Sequence, residues 1–112
     1  MTYYKTVKGL RLHKQVAKEI ERLDPFTKRK LAELFSLLST GESLGLPVSR
    51  PMPVIANGAH ELRLKDRGGQ YRVFYFTKHK DAVLIFHFLK KKTQATPRHE
   101  IEVALSRLEE ML

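Results

Sequence analysis

Residues 61–89 read ELRLKDRGGQYRVFYFTKHKDAVLIFHFL, and this stretch decides the fold. Residues 61–65 alternate between apolar and charged side chains, residues 71–77 are aromatic and β-branched, and residues 82–89 are nearly all apolar. Such runs are typical of β-strands. The segments between them are short enough to be hairpin turns. We therefore predict three consecutive strands in an antiparallel meander, with the third strand central or covered on both faces.

Helical periodicity flanks the meander on both sides. An apolar stripe at helical spacing predicts a first amphipathic helix, formed by Leu12, Val16, Ile20 and Leu23. Asp24-Pro25 is typical of an N-cap followed by a first-turn proline, and the second helix ends at Thr40-Gly41. Thr96-Pro97 repeats the cap signal before a C-terminal helix. Because the joint between the first two helices is very short, we expect a helical hairpin.

The remaining segments complete the predicted architecture. Thr2–Lys8 suits an edge strand, whereas the glycines and prolines between Gly41 and Pro53 predict a surface connection without regular structure. A chain of 112 residues has the size of one domain. We predict a single α+β domain over residues 1–112, with an N-terminal helical hairpin packed on a twisted antiparallel sheet and a C-terminal helix.

Composition narrows the function classes. The net charge of +9 is densest in residues 61–99, which favours a polyanionic partner, chiefly nucleic acid, although the lysines could simply keep the domain soluble. The absence of cysteine excludes disulfides, thiolate zinc sites and cysteine nucleophiles. No histidine has a metal-ligand spacing, so we expect neither a metal nor a cofactor. Without a signal peptide or an apolar run of membrane length, we expect a cytoplasmic protein with no membrane partner.

A cluster of cations is predicted on one face of the meander. Alternation places Arg63 and Lys65 on the same face of their strand. Arg72 joins them if Asp66 pairs with Tyr71 across a four-residue loop, whereas a five-residue loop would place Arg72 on the opposite face. We favour the first register because the second buries an unpaired guanidinium. Such a cluster suits the phosphorane formed when an RNA 2′-hydroxyl attacks its phosphodiester, although a merely solvated strand face remains the alternative.

Further candidate residues follow the third strand. A polar run there is a possible track for a nucleic-acid backbone or a solubilising turn, and consists of Lys90, Lys91, Lys92 and Thr93. Tyr71 could stack on a base. His60 and His99 are candidates for general acid or base catalysis, since either could titrate near neutral pH. We interpret His87, within an apolar strand, as a core histidine with satisfied hydrogen bonds.

Several of these segments together resemble a known family. The segments ELR (61–63), YRVFYF (71–76), KKTQATP (91–97) and EIEVALSRLEE (100–110) are similar in order and spacing to the HigB-like branch of the RelE/ParE toxin superfamily. The resemblance covers roughly residues 12–112. It implies a toxin of a bacterial or phage type II toxin–antitoxin pair. Its relatives are usually metal-independent endoribonucleases that cut mRNA in the ribosomal A site and are neutralised by a helix-turn-helix, HigA-like antitoxin.

The resemblance also implies site residues. The basic pair that the superfamily carries before its hairpin corresponds to Arg63 and Lys65, and its YR arginine corresponds to Arg72. RelE-type relatives use a tyrosine on the last helix, where this chain has Ile101, so His99 is the expected substitute. Two alternatives stay open. A ParE-like gyrase toxin would share the fold without needing the cations, and a non-catalytic nucleic-acid-binding module would bind RNA without cutting it.

Overall fold

The computed structural model describes residues 8–91 and 95–112. These residues form an α+β structure, as predicted, with strands β1 (Gly9–Leu12), β2 (Ser49–Pro51), β3 (Ala59–Asp66), β4 (Gly69–Phe76) and β5 (Ala82–Lys91), and helices α1 (Lys14–Glu21), α2 (Pro25–Ser39) and α3 (Arg98–Met111). Apart from Lys8, the edge strand predicted for Thr2–Lys8 lies outside the described residues. No helix in the described part of the chain is long and apolar enough to cross a membrane.

The five strands form one mixed sheet in the order β1-β5-β4-β3-β2. Strands β3, β4 and β5 form the predicted antiparallel meander. Strand β1 runs parallel to β5, with Gly9 opposite Ala82 and Leu12 opposite Ile85. The prediction of a purely antiparallel sheet was therefore wrong. A parallel partner needs a long connection, which α1, α2 and the meander provide, and no local pattern signals it.

The first helix begins two residues later than its apolar stripe suggests. Leu12 is the last residue of β1, and α1 starts at Lys14. The imidazole Nδ1 of His13 accepts a hydrogen bond from the backbone N–H of Gln15 at 3.2 Å, which caps the helix. Leu12 thus belongs to the strand that precedes the cap, although it still packs with the apolar residues of α1.

The second helix begins as predicted. Asp24 is its N-cap, since its Oδ1 accepts from the backbone N–H of Thr27 at 3.0 Å, and Pro25 is the first helical residue. The helix ends at Ser39, and Gly41 follows with a φ of 87°, a conformation that glycine adopts without strain. Both helices contact the sheet at β5. The packing of α1 against α2 as a hairpin stays a prediction.

A short strand lies in the segment predicted to lack regular structure. Strand β2 pairs antiparallel with β3, with Ser49 opposite Leu62 and Pro51 opposite His60. Proline lacks the backbone N–H that a strand donates to its neighbour, and an edge strand such as β2 tolerates this loss at its end. The prediction that this segment lacks regular structure was therefore wrong for Ser49–Pro51, which form an edge strand despite the surrounding prolines and glycines.

Two apolar layers bury the two faces of the sheet. On one face α3 packs through Ala104 and Leu108, and on the other α1 and α2 pack through residues such as Val16 and Leu31. Strand β5 contributes to both layers, with Ala82, Leu84 and Phe86 facing α3, and Val83 and Ile85 facing α1 and α2. The third strand of the meander is thus covered on both faces, as predicted. Each fully buried large apolar side chain of this kind contributes about 1.5–3 kcal/mol.

Candidate functional site

The β3–β4 hairpin brings Arg63 and Arg72 directly opposite each other. Its loop is shorter than predicted, because Asp66 pairs with Gly69 rather than with Tyr71. The Asp66 Oδ1 accepts from the backbone N–H groups of Gly68 at 2.7 Å and Gly69 at 3.1 Å, which stabilises this tight turn. The change in register is even, so every side chain keeps its face. The shared face predicted for Arg63 and Arg72 is therefore confirmed, although the predicted pairing was wrong.

A buried carboxylate organises these arginines. Glu61 is completely buried, and its Oε1 accepts from Arg50 Nε and from Arg63 Nε, each at 3.1 Å. Its Oε2 lies 3.3 Å from Arg72 Nη1. Arg50 is directly opposite Glu61 on β2, and Arg63 is two residues further along β3, so all four side chains share one face of the sheet. We call these four residues the Glu61 cluster.

The Glu61 cluster has a positive excess, since three guanidinium groups share one carboxylate. Like charges directly opposite each other in a sheet destabilise it, and the hydrogen bond from Arg63 and the ion pair of Arg72 with Glu61 offset the repulsion between the two arginines. Only 2% of the Arg72 side chain is exposed. Burial lowers the pKa of the Arg72 guanidinium, and the charge of Glu61 opposes that shift, whereas Arg50 and Arg63 reinforce it. Glu61 is therefore the counter-charge that allows Arg72 to be buried.

Arg72 also connects the sheet to the start of α3. Its Nη1 donates to Thr96 Oγ1 at 2.6 Å. The sequence predicted that Thr96 would cap α3, but the N-cap is Pro97 and no side chain caps the helix. The cap prediction was wrong: Thr96 lies one residue before the N-cap, and its hydroxyl accepts from Arg72. The position of the α3 N-terminus thus depends on a residue of the candidate site.

An open cleft of about 710 Å³ lies beside Arg72, between α1 and the N-terminal end of α3. Four of the predicted residues line it, namely Tyr71, Arg72, Lys90 and Lys91, and Arg22 adds a further cation from the α1 side. Tyr71 stacks on Phe88 with ring centroids 5.6 Å apart. Burial, followed by the charge of Asp66, raises the pKa of Tyr71, so its hydroxyl is protonated at neutral pH. The cleft combines cations with an aromatic surface.

Other predicted residues lie away from this cleft. Lys65 is exposed at the hairpin opposite Gln70, on the face of the Glu61 cluster. His99 is exposed in the first turn of α3 and is not among the described residues that line the cleft. His60 stacks on Tyr75 with ring centroids 5.1 Å apart, and burial lowers its pKa. Lys92 and Thr93 lie outside the described residues.

His87 has the surroundings of a core histidine. Its Nδ1 accepts from Arg107 Nη1 at 2.9 Å, and its Nε2 lies 3.0 Å from Glu100 Oε2. Burial lowers the pKa of His87, only partly opposed by Glu100. These contacts assign the neutral ring with its proton on Nε2, donated to Glu100. The ring thus ties β5 to α3 and agrees with the interpretation drawn from the sequence.

Two residues of the Glu61 cluster were not identified from the sequence. Glu61 has the same parity as Arg63 and Lys65, so the alternation already places a carboxylate on the cationic face. Arg50 lies in the proline-rich segment, where no periodicity could assign it a face. Among the described residues, no group of three or more metal-ligating side chains is assembled.

Comparison with known proteins places the chain in a family. Residues 18–109 match the family model described as phage-derived protein Gp49-like (DUF891). The matched range includes β2 through β5 and therefore the whole Glu61 cluster. A search of curated proteins found no match. The chain belongs to the Gp49-like family of phage-derived proteins, which is part of the RelE/ParE-type toxin superfamily.

Proposed function

We propose that this protein is the toxin of a type II toxin–antitoxin system, of the HigB-like branch, and that it cleaves mRNA at the ribosome as a metal-independent endoribonuclease. Membership of the Gp49-like family is consistent with a toxin and implies a cognate antitoxin. That family is associated with toxin endoribonucleases in general. The observation that carries the proposal is the Glu61 cluster, which gathers three guanidinium groups on one sheet face.

The proposed reaction is an internal transesterification. The 2′-hydroxyl of one nucleotide loses its proton and attacks the adjacent phosphorus, while the 5′-oxygen of the next nucleotide leaves and takes up a proton. The products are a 2′,3′-cyclic phosphate and a 5′-hydroxyl. The phosphorane gains negative charge along this path, and Arg63, Lys65 and Arg72 supply positive charge that stabilises it. His99, exposed in the first turn of α3, is the proposed acid or base, because imidazole is the side chain that most often takes this role.

The cleft beside Arg72 supplies contacts for the rest of the RNA. Lys90 and Lys91 line it, and we assign them to the phosphate backbone together with Lys92 and Thr93, the residues that follow them in the sequence. The Tyr71–Phe88 pair offers a base-stacking surface, and such stacking contributes about 1–3 kcal/mol per base. These partners and the ribosome imply action in the cytoplasm. The proposed antitoxin is a HigA-like helix-turn-helix protein.

The test is a reconstituted translation reaction in which the 5′ ends of the mRNA are mapped by primer extension. Arg72→Ala is a poor first variant, since it also removes a buried partner of Glu61. Arg63→Gln and Lys65→Ala change side chains that are partly exposed or exposed. The matched control is Lys80→Ala, an exposed lysine on the β4–β5 turn. We expect A-site cleavage by the wild type and the control, and at least tenfold slower cleavage by the two site variants.

Intact mRNA with folded wild-type protein would contradict the proposal. DNA damage without mRNA cleavage would instead identify a gyrase-directed toxin, for which the cations on the sheet face are dispensable. RNA binding without cleavage, with or without ribosomes, would identify a non-catalytic binding module.

A further inference from the structure

Arg50 and Arg63 are held side by side by one oxygen atom. Each donates through Nε to Glu61 Oε1 at 3.1 Å, which makes their guanidinium groups neighbours. No other hydrogen bond holds either side chain within the described residues. Arg50 is 38% exposed and Arg63 is 37% exposed. Arg50 and Arg63 are therefore the members of the Glu61 cluster that a ligand can reach, and Glu61 holds each through Nε and not through an Nη group.

The backbone keeps this arrangement in place. Arg50 is directly opposite Glu61 across the β2–β3 ladder, and Arg63 follows Glu61 by two residues on the same face. Because Glu61 is fully buried, its carboxylate cannot follow a mobile surface side chain. An arginine held through Nε retains both Nη groups as a planar fork that matches two phosphate oxygens. Two arginines that are both held by Glu61 Oε1 in this way can form a preorganised site for an anion.

We propose that Arg50 and Arg63 bind one phosphate group of an RNA strand and that Glu61 is the residue that positions them. The proposal rests on the proposed function only in taking RNA as the ligand. Arg50 and Arg63 are not among the residues that line the cleft beside Arg72. The site therefore provides a phosphate contact beyond that cleft, on the β2–β3 side of the sheet. Arg50, which the sequence did not indicate, is then a substrate-binding residue.

The test is the salt dependence of RNA binding, measured by fluorescence anisotropy without ribosomes. The probe is a single-stranded oligonucleotide with 2′-O-methyl groups throughout, which lacks the attacking hydroxyl and cannot be cleaved. For single strands, each neutralised phosphate changes the slope of log K against log salt by about 0.7. We expect Arg50→Gln to reduce the slope measurably and by at most that amount, because Arg63 still contacts the same phosphate. The control, Arg29→Gln, changes an exposed arginine of α2 and should leave the slope unchanged.

Two further variants separate positioning from charge. Arg50→Lys keeps the charge but loses the planar fork, so its slope should be retained while its affinity falls. Glu61→Gln makes the protein more positive, so a purely electrostatic surface would bind RNA more tightly after this change. A positioning role predicts weaker binding instead, at least threefold. Circular dichroism of each variant shows whether it is folded. If Glu61→Gln does not fold, the two Arg50 variants still test the proposal.

The outcomes distinguish this proposal from the proposed function. If the wild type does not cut mRNA but Arg50→Gln lowers the salt slope, the phosphate site is retained and the nuclease assignment fails. If the wild type cuts mRNA and Arg50→Gln has an unchanged slope and KM, the phosphate site is refuted and the nuclease is retained. Folded wild-type protein that does not bind the oligonucleotide also overturns the site.

Discussion

Replacement of Glu61 by Gln should destabilise the protein strongly. Gln has nearly the same volume as Glu, so the change leaves no cavity and removes only the charge. Arg72, with 2% of its side chain exposed, then loses its buried counter-charge, and removing one partner of a buried pair costs about 3–5 kcal/mol. Arg50 and Arg63 are more than a third exposed, so water screens them and their loss adds little.

The expected loss is a large part of the stability of a domain, which is typically about 5–15 kcal/mol. At roughly 4 °C per kcal/mol, Tm should fall by about 12–20 °C. Urea unfolding followed by far-ultraviolet circular dichroism measures the free energy of unfolding directly, and a thermal scan measures Tm. The wild type and the variant should have equal m-values, because the charge removal does not alter the surface exposed on unfolding.

The matched control is Glu102→Gln, which makes the same chemical change on the surface of α3. Glu102 lies 3.3 Å from Arg98, and both side chains are mostly exposed. Such a surface pair contributes about 0.3–0.5 kcal/mol, so the control should remain close to the wild type. If Glu61→Gln is within about 1 kcal/mol of the wild type, then Arg72 does not depend on this carboxylate. The account of the Glu61 cluster as a buried counter-charge would then be wrong.

Three other changes test separate parts of the structure. Burial lowers the pKa of His87 below its ordinary 6.5, so the unfolded chain binds a proton that the folded protein does not. The contribution of His87 to the free energy of unfolding should therefore be fully present above pH 6.5 and should fall below that pH by at most about 1.4 kcal/mol per pH unit. Urea midpoints measured between pH 7.5 and 5 should fall less for His87→Gln than for the wild type. Hydrogen bonds from Thr27 lower the pKa of Asp24 below 3.8, so its contribution is present above pH 3.8 and lost as the pH falls through the lowered value. In the same urea assay, Asp24→Asn should lack this loss of stability at acid pH. If the variant loses as much stability at acid pH as the wild type, Asp24 does not stabilise the helix as its charged N-cap. Gly58 has a φ of +95°, and an added Cβ would lie 2.6 Å from Lys78 Cγ, so Gly58→Ala should cost about 1–3 kcal/mol, against a smaller change for Gly45→Ala, which meets nothing within 4 Å.

Local periodicity was sufficient for much of the sheet and part of the site. Strand residues alternate between faces with a period of two, so Arg63 and Lys65 share a face whatever lies around them. An even change in hairpin register keeps Arg72 on that face, which is why the prediction succeeded although the predicted turn was two residues too long. The Asp24-Pro25 signal was equally reliable, because a cap is formed within one helical turn.

The remaining features depend on contacts between residues far apart in the chain. The parallel pairing of β1 with β5, the edge strand β2 and the bond from Arg72 to Thr96 join segments that no local pattern connects. The sequence by itself determined a meander, its helices and a face with three cations. Only the tertiary structure placed Arg50 beside Glu61 and so formed the Glu61 cluster. The physical reason is that a buried carboxylate offsets the repulsion between guanidinium groups only where folding places it within hydrogen-bond distance of them.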